Sequence, residues 1–177
     1  MRYLTQGEKE NSRRLYECCF PEDSQKFVDY YYQEKCRENE IAVIEENGKI
    51  ISMVHANPFT VSCCGTQAEV HYIVAVATDP EYRRRGYMRQ LMQQVLRDCR
   101  NRGEVFSFLM PADPAYYEPL GYRYWNNQYV WEIPKEQELL LKGFCQNPEY
   151  QSDADPKALA QMADRILADQ FDLYILR

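Results

Sequence analysis

Residues 74–92, VAVATDPEYRRRGYMRQLM, contain the pattern that decides the fold and the candidate site. An apolar run typical of a buried strand leads through a short loop with three arginines and Gly86 into a helix. Backbone N–H groups of the first helical turn have no intrahelical partner, and the helix dipole adds partial positive charge there. Gly86 lets the backbone approach a bound group without an intervening Cβ. The stretch therefore predicts an anion site that suits a pyrophosphate.

The rest of the chain predicts a mixed α/β or α+β domain with one central sheet. After the loop, apolar residues at 88, 91, 92, 95, 96 and 99 form the stripe of an amphipathic helix, which Gly103 ends. Before the loop, the sequence predicts an edge strand over 1–4, helices over 8–19 and from Pro21 to about Lys35, and strands over 41–45, 49–59, 61–64 and 67–78. A hairpin at Asn47-Gly48 joins strands 41–45 and 49–59, and Pro58 is predicted to end or bulge the strand over 49–59. After the helix, it predicts a strand over 104–110, a short helix over 113–119, strands over 121–125 and 128–133, a helix from Asp155-Pro156 and a strand over 172–176.

Composition sets limits on the class of protein. The chain has 177 residues, of which 45% are hydrophobic and 27% charged, as in an ordinary globular domain. No apolar run is long enough to span a membrane, and the N-terminus lacks the apolar core of a signal peptide. These features predict no membrane partner and a cytoplasmic location.

Metal and nucleic-acid functions are not favoured. The seven cysteines include no C-x-x-C spacing, and there are only two histidines, so free thiols and no metal site are expected. The net charge is −6, which should repel nucleic acid. The arginines of residues 83–102 cluster around one loop and form no long basic stripe, which indicates a local phosphate site.

Two sequence blocks resemble the GCN5-related N-acetyltransferase (GNAT) superfamily. Residues 83–88, RRRGYM, are similar to its acetyl-CoA loop, although Met88 replaces the usual small residue. Residues 108–125, FLMPADPAYYEPLGYRYW, are similar to a second block of the family. The bulky residues after Gly86 resemble the Eis-like (enhanced intracellular survival) acetyltransferases. The resemblance covers residues 1–133 as the acetyltransferase domain and leaves 134–177 as a C-terminal extension or the start of a second domain.

The resemblance implies a mixed, mostly antiparallel sheet that is flanked by helices and splayed where acetyl-CoA binds as cosubstrate. It implies transfer of an acetyl group to an amine of a small molecule or a protein. Val76, Ala77 and Thr78 would pair through their backbones with the pantetheine arm. Ala112 and Asp113 would lie near the cofactor. The residues that would surround the pyrophosphate are Arg84, Arg85, Gly86, Tyr87, Met88 and Arg89.

The expected chemistry needs an acid and a base. The leaving thiol has a pKa of about 8.5, so a phenol can supply its proton; Tyr117 matches the family's acid, and its alternative role is packing. A primary amine with a pKa of about 10.4 must lose a proton before attack. Glu69 and His71 share one strand face by period-2 alternation and are the candidate bases, with His55 on the neighbouring strand a weaker one. Cys99 lies on the apolar helix stripe and is expected to pack.

Two alternatives stay open at the level of the sequence. The first is a module of the same fold that binds CoA without catalysis, or that serves as the scaffold of a larger protein. The second concerns residues 172–176, which suggest an N-terminal fragment or a shortened relative whose last strand pairs with another chain or lies against the domain surface. The expected partners are acetyl-CoA and an amine of unknown identity, and a homo-oligomer is left open.

Overall fold

The computed structural model describes residues 1–125 and 155–176, in two compact units. The first unit comprises Met1–Tyr122 and Phe171–Leu176. Its elements are β1 (Arg2–Tyr3), α1 (Arg13–Cys19), α2 (Gln25–Gln33), β2 (Glu40–Glu46), β3 (Lys49–Cys63), β4 (Thr66–Thr78), α3 (Tyr87–Asn101), β5 (Ser107–Phe108) and β6 (Leu173–Ile175). The described part of the second unit contains α4 (Pro156–Gln170), whose backbone begins after Asp155 as the sequence predicts. In both described ranges, no helix is long and apolar enough to cross a bilayer.

The first unit is built on one sheet with strand order β1-β2-β3-β4-β5. Strands β1 to β4 pair antiparallel, and β5 joins β4 in parallel. The predicted mixed, mostly antiparallel sheet is therefore confirmed. The hairpin at Asn47-Gly48 is also confirmed, because both residues take the positive φ angles, 51° and 76°, that such a turn requires.

The sheet separates two hydrophobic clusters. On one face, α1 and α2 pack with side chains such as Tyr16, Tyr31 and Met53. On the other face, Leu91, Met92 and Val95 of α3 pack against the sheet. The helix stripe that the sequence predicts for residues 88–99 forms this second cluster, and Gly103 ends α3 with φ +86°. We refer to the two sides of the sheet as the α1/α2 face and the α3 face.

Helix boundaries near the N-terminus differ from the prediction. The first helix starts as a 3₁₀ segment, Gln6–Ser12, before α1. The second helix does not open at Pro21 but at Gln25, because the Ser24 side chain accepts a hydrogen bond from the Phe27 N–H at 3.3 Å and caps it. It ends at Gln33, and a 3₁₀ turn, Lys35–Arg37, follows.

The prediction that Pro58 ends or bulges its strand is wrong. β3 runs without interruption to Cys63, with Pro58 opposite His71 of β4. On the other edge of β3, pairing with β2 stops at Ala56 and pairing with β6 starts at Val61. Proline has no backbone N–H to donate to a neighbouring strand. Within the described residues, Pro58 lies in the part of β3 between Ala56 and Val61, where neither β2 nor β6 pairs with it, so the strand can continue through it.

Elements after α3 are shorter than predicted. Only Ser107–Phe108 of the predicted strand 104–110 is a strand. The predicted helix 113–119 consists of two 3₁₀ turns, Pro114–Tyr116 and Glu118–Leu120, each of which contains a proline that limits α-helical bonding. The predicted strand 121–125 is absent, because Gly121 takes φ +96° and ends the second turn. The predicted strand 128–133 lies outside the described residues.

Strand β6 belongs to the main sheet. Leu173–Ile175 pair antiparallel with Val61–Cys63 of β3, on the same edge as β2. β6 is an edge strand, as expected, since within the described residues β3 is its one partner, but it joins the main sheet and does not lie against the domain surface. The reason is that β3 is long enough to extend past β2 and to offer its edge to a further strand.

Candidate active site

The edge of β4 toward β5 is open over Ile73–Thr78. Strand β5 pairs with β4 only at His71 and Tyr72, so in the described part of the chain no strand lies beside the rest of β4. This is the splay that the sequence predicts. An open strand edge presents backbone N–H and C=O groups to an extended ligand.

A β-bulge lies within the open stretch. His55 pairs with Val74 and Met53 with Ala77, so two β4 residues stand opposite one residue of β3. Ala75 has φ +50°, which is unusual for a residue with a Cβ. The bulge shifts the alternation, so that Ala75 packs on the α1/α2 face and Val76 on the α3 face.

The β4 strand leads directly to the N-terminus of α3. Gly86 is the N-cap with φ +81°, and a Cβ built on it would meet no protein atom within 4 Å. Arg84 also takes a positive φ, +63°. The loop therefore has space in front of the first helical turn, where N–H groups of a 15-residue helix are unpaired.

The loop arginines divide into two groups. Arg83 donates to the carbonyl of Thr78 at 3.2 Å, while Arg85 donates to the carbonyl of Glu81 and stacks over Tyr82 at 5.0 Å. Within the described residues, the Arg84 and Arg89 side chains are exposed and form no hydrogen bond or ion pair. Arg84 and Arg89 are therefore the two cations available to an anion at this helix end.

The three backbone positions predicted for the pantetheine arm are not equivalent. The Thr78 carbonyl already accepts from Arg83 and from the Cys19 thiol, the latter at 3.7 Å. The Ala77 carbonyl accepts from buried Ser52 at 3.0 Å. Among the described residues, no side chain donates a hydrogen bond to the backbone carbonyl of Val76, which directly follows Ala75 in the bulge. Val76 is therefore the most accessible of the three.

Tyr117 lies on the same face as Val76 and Met88, and all three pack against the α3 cluster. The Tyr117 ring meets Tyr122 edge-on at 6.0 Å. Burial raises the pKa of Tyr117 above its ordinary value, so its phenol is protonated at neutral pH. Ala112 and Asp113 are exposed, and the Asp113 carboxylate accepts from the Ala115 N–H at 2.9 Å.

His71 is buried and held by a carboxylate. Its Nδ1 lies 2.9 Å from Glu104 Oε2, and Arg102 Nε donates to Glu104 Oε1 at 2.9 Å. Although desolvation opposes the change, the hydrogen bonds from His71 and Arg102 lower the pKa of Glu104. Ionised Glu104 therefore orients the imidazole through Nδ1, so that Nε2 is the ring nitrogen that Glu104 does not hold.

Cys99 completes this cluster. Ligand atoms of His71, Cys99 and Glu104 lie within 4.8 Å of one another. Burial and the proximity of Glu104 raise the pKa of Cys99 to about 12, which keeps the thiol protonated. The Arg102 guanidinium contacts Glu104 and lies 3.4 Å from the Cys99 sulfur. This positive charge therefore already contacts two of the three groups that a metal cation would have to bind. The cluster is therefore best described as a hydrogen-bonded network.

The other two candidate bases have different surroundings. Glu69 is exposed, and its carboxylate accepts from Thr60 at 2.6 Å. His55 is fully buried, with Nδ1 2.9 Å from the Tyr31 hydroxyl, and burial lowers the pKa of His55 to about 3. An imidazole that resists protonation this strongly is unsuited to accept a proton from an amine.

Sequence reasoning missed Glu104 and Arg102. The sequence pattern predicts only that Glu104 starts a strand and that Arg102 ends the helix. Neither position has a local signal, because Glu104 meets His71 across 33 residues of sequence. The pairing depends on the parallel register of β4 with β5, in which His71 stands opposite Ser107.

The sequence profile of the family described as Acetyltransferase (GNAT) domain matches residues 1–125. This match spans most of the chain, and the chain therefore belongs to the GNAT acetyltransferase family. Among curated protein sequences, none matches the chain significantly.

Solved structures share the fold at low identity. A probable N-acyltransferase from Enterococcus faecalis has 22% identity and a TM-score of 0.63, over 68% of this chain and 31% of that one. An N-acetyltransferase from Kribbella flavida has 21% identity and a TM-score of 0.59, over 68% and 32%. A GNAT acetyltransferase from Brucella melitensis, solved with acetyl-CoA, has 20% identity and a TM-score of 0.59, over 70% and 81%. The chain spans about a third of the length of the first two.

Proposed function

We propose that this protein is an N-acetyltransferase that uses acetyl-CoA as donor and an amine as acceptor. The observation that supports it best is the open β4 edge that leads straight to the Gly86 cap of α3. A strand edge can pair with the amides of a pantetheine arm, and the helix N-terminus can bind a pyrophosphate. One extended ligand that contains both groups satisfies both halves of the site.

The order of these two features sets the direction of the cosubstrate. The helix follows the C-terminal end of β4, so a pyrophosphate bound there directs the pantetheine arm back along β4. Pairing with β5 begins at Tyr72 and blocks the arm from going further. The thioester should therefore stop near Ile73–Ala75, next to the bulge. His71 then lies about 7 Å along the strand from Ile73.

We assign the general acid to Tyr117. Its raised pKa keeps the phenol protonated. Like Val76 and Met88, Tyr117 packs against the α3 cluster, on the face where we expect the arm to pass. In the reaction, the amine nitrogen forms a bond to the thioester carbonyl carbon, and the carbon–sulfur bond then breaks. The phenol donates its proton to the departing thiolate, which leaves as the thiol of CoA.

We assign the general base to His71 in preference to Glu69. A carboxylate holds the Nδ1 side of His71, which is the arrangement that orients an imidazole for proton transfer at Nε2. Glu69 lies two residues further from the thioester and is hydrogen-bonded to Thr60. The proton of the attacking amine would pass to His71 directly or through one water.

Within the family, we place the chain beside the Eis-like acetyltransferases on the basis of the loop over residues 83–88. The acetyltransferase domain would span 1–133, with 134–177 as a C-terminal extension. The cytoplasm is the compartment we expect, since it would supply acetyl-CoA. The candidate acceptors are aminoglycosides, polyamines and protein lysines.

Turnover and binding measured together test the proposal. Calorimetry with CoA should show one site, and thiol release from acetyl-CoA, followed with DTNB, should rise with at least one amine of a panel of aminoglycosides, polyamines and lysine peptides. Binding without turnover for every amine would favour the alternative, a module that binds CoA without catalysis. Absence of CoA binding would refute both.

A further inference from the structure

Three aromatic side chains form a cluster beside the end of β5. The rings of Tyr72 and Phe108, which stand opposite each other in the β4–β5 ladder, are stacked with their centroids 5.0 Å apart. The ring of Phe59 on β3 lies 6.2 Å from that of Tyr72 and 6.0 Å from that of Phe108. All three residues are half-buried, so a ligand can reach the cluster from solvent. We refer to Phe59, Tyr72 and Phe108 as the aromatic cluster.

The aromatic cluster lies on the α1/α2 face, next to the expected position of the thioester. Val74, two residues after Tyr72, packs on that face, and strand alternation places Tyr72 there too. Tyr72 and Phe108 are the last pair before β5 leaves β4, and the thioester is expected from Ile73 onward. Within the described residues, no strand fills the fork beyond this pair. A molecule that covers the cluster can therefore reach the reacting carbon through the fork.

A polar side chain borders the aromatic cluster. Asn57 of β3 stands directly opposite Tyr72, on the same face of the sheet. Within the described residues, its Oδ1 atom is buried and accepts no hydrogen bond. Such an atom destabilises the fold, so a donor from a bound molecule would be stabilising there. Asn57 as a whole is half-buried, and a half-turn of its amide exchanges Oδ1 with Nδ2, so the amide can offer a ligand either an acceptor or a donor.

The charge of this face distinguishes between possible acceptors. Among the described residues of β3 and β4, the side chains that alternate onto it around the cluster include no carboxylate; they are His55, Asn57, Phe59, Val61, Val70, Tyr72 and Val74. A polyamine or an aminoglycoside carries several ammonium groups, each of which is costly to desolvate without an opposite charge. An aromatic face instead attracts a single ammonium group and stacks with a flat ring. The cluster therefore favours a monoamine that contains an aromatic ring.

We propose that the aromatic cluster and Asn57 bind the acceptor, and that this acceptor is a primary monoamine on a short arm of a hydroxylated aromatic ring. Asn57, Tyr72 and Phe108 form one row across three strands, about 9–10 Å from first to last. In this arrangement the hydroxyl bonds to the Asn57 amide, the ring stacks on Tyr72 and Phe108, and the amine enters the fork. A phenol hydroxyl both donates and accepts, so it suits either orientation of the amide.

The inference rests on the proposed function, because it assigns the acceptor of that reaction. The transfer step balances as above: the nitrogen gains the acetyl group and loses one proton, and CoA leaves as the thiol. Binding of the amine itself needs neither the acetyl group nor the general base. It can therefore be measured on the protein loaded with CoA, where no transfer occurs.

The test is calorimetry of the CoA-loaded protein with tyramine and with 2-phenylethylamine, which lacks only the hydroxyl. The parent should bind tyramine about 3- to 10-fold more tightly, the effect of one hydrogen bond between uncharged groups. Asn57→Leu removes the amide and keeps a similar volume, so it should bind both amines with equal affinity. Because Oδ1 of Asn57 is unpartnered within the described residues, the thermal midpoint of this variant should stay close to that of the parent.

Variants of the aromatic cluster test the stacking. Tyr72→Leu should bind both amines about 3- to 10-fold more weakly, whereas Tyr72→Phe keeps the ring and should bind both like the parent. Phe59→Leu gives a second measurement of the same loss if Tyr72→Leu does not fold. Tyr30→Leu is the matched control, because Tyr30 is an exposed tyrosine of α2 outside the cluster. It should bind both amines like the parent.

Three results would overturn the inference: tighter binding of spermidine than of tyramine, an unchanged preference for tyramine in Asn57→Leu, or equal affinities in Tyr30→Leu and Tyr72→Leu. Thiol release from acetyl-CoA separates this failure from failure of the proposed function. Release with spermidine or a lysine peptide, but not with tyramine, leaves the function and removes this acceptor. Tyramine binding with the expected losses in the variants, but no thiol release with any amine, leaves the binding site and removes the acetyltransferase activity.

Discussion

Substitution of Gly86 by valine separates the strain of its backbone from its predicted contact with a ligand. Gly86 has φ +81°, so any L side chain there is strained by about 1–3 kcal/mol. A Cβ at this position meets no protein atom within 4 Å, so the variant should still fold. For a protein of this size, each kcal/mol corresponds to a fall of about 2–4 °C in Tm.

Gly103 at the other end of α3 provides the matched control. It has φ +86°, and a Cβ there also meets no atom within 4 Å. Gly103→Val should therefore lower Tm by a similar amount, yet leave the affinity for CoA near that of the parent. The two variants impose the same kind of strain on the same helix, and only one of them fills the space in front of the anion site.

The expected loss of affinity follows from the hydrogen bonds at stake. A hydrogen bond between a backbone N–H and a charged phosphate oxygen contributes about 1.5–3 kcal/mol. If a branched side chain removes one of them, Kd should rise by about 10- to 10²-fold. Calorimetry with CoA on the parent, Gly86→Val and Gly103→Val measures this directly. Equal Kd values for all three would refute the assignment of the loop.

Three further predictions concern protons. Tyr117→Phe should lower kcat by about 10²–10⁴-fold with the Kd for CoA nearly unchanged, and an unaltered kcat would assign Tyr117 to packing alone. His71→Gln should lower kcat by about 10²-fold or more and change the pH–rate profile, whereas Glu69→Gln should leave both close to the parent; the reverse pattern would make Glu69 the base. The buried His55 has a folded pKa of about 3, below its unfolded value of about 6.5, so unfolding takes up a proton between these pH values. The free energy of unfolding should therefore fall as pH decreases below about 6.5, by up to about 1.4 kcal/mol per pH unit. Urea titrations from pH 7 to 5 should show this fall for the parent and not for His55→Gln. An equal fall in both would contradict the lowered pKa of His55.

The sequence predicted those parts of the fold that depend on local signals. The Gly86 cap, the α3 stripe and the Asn47-Gly48 hairpin each follow from a few neighbouring residues. The continuity of β3 through Pro58 did not follow, because it depends on which neighbouring edges are occupied there. The predicted start of α2 at Pro21 is wrong because Ser24, directly after the acidic Glu22-Asp23 pair, provides the cap.

The candidate site could be predicted in its cofactor half more fully than in its catalytic half. The strand, loop and helix that form the anion site are contiguous in sequence, over residues 74–92. The surroundings of His71 are not, since Glu104 and Arg102 reach it only through the register of β5 and the end of α3. The bulge at Ala75, which changes the face of every following side chain, has no glycine to mark it.

A crystal structure of the protein with CoA tests the central claim most directly. We expect the pyrophosphate at the N-terminus of α3, within reach of Arg84 and Arg89, and the pantetheine amides paired with the open edge of β4 at Val76. CoA bound elsewhere, for example in the cleft lined by Arg14 and Lys49, with the β4 edge left empty, would contradict the account.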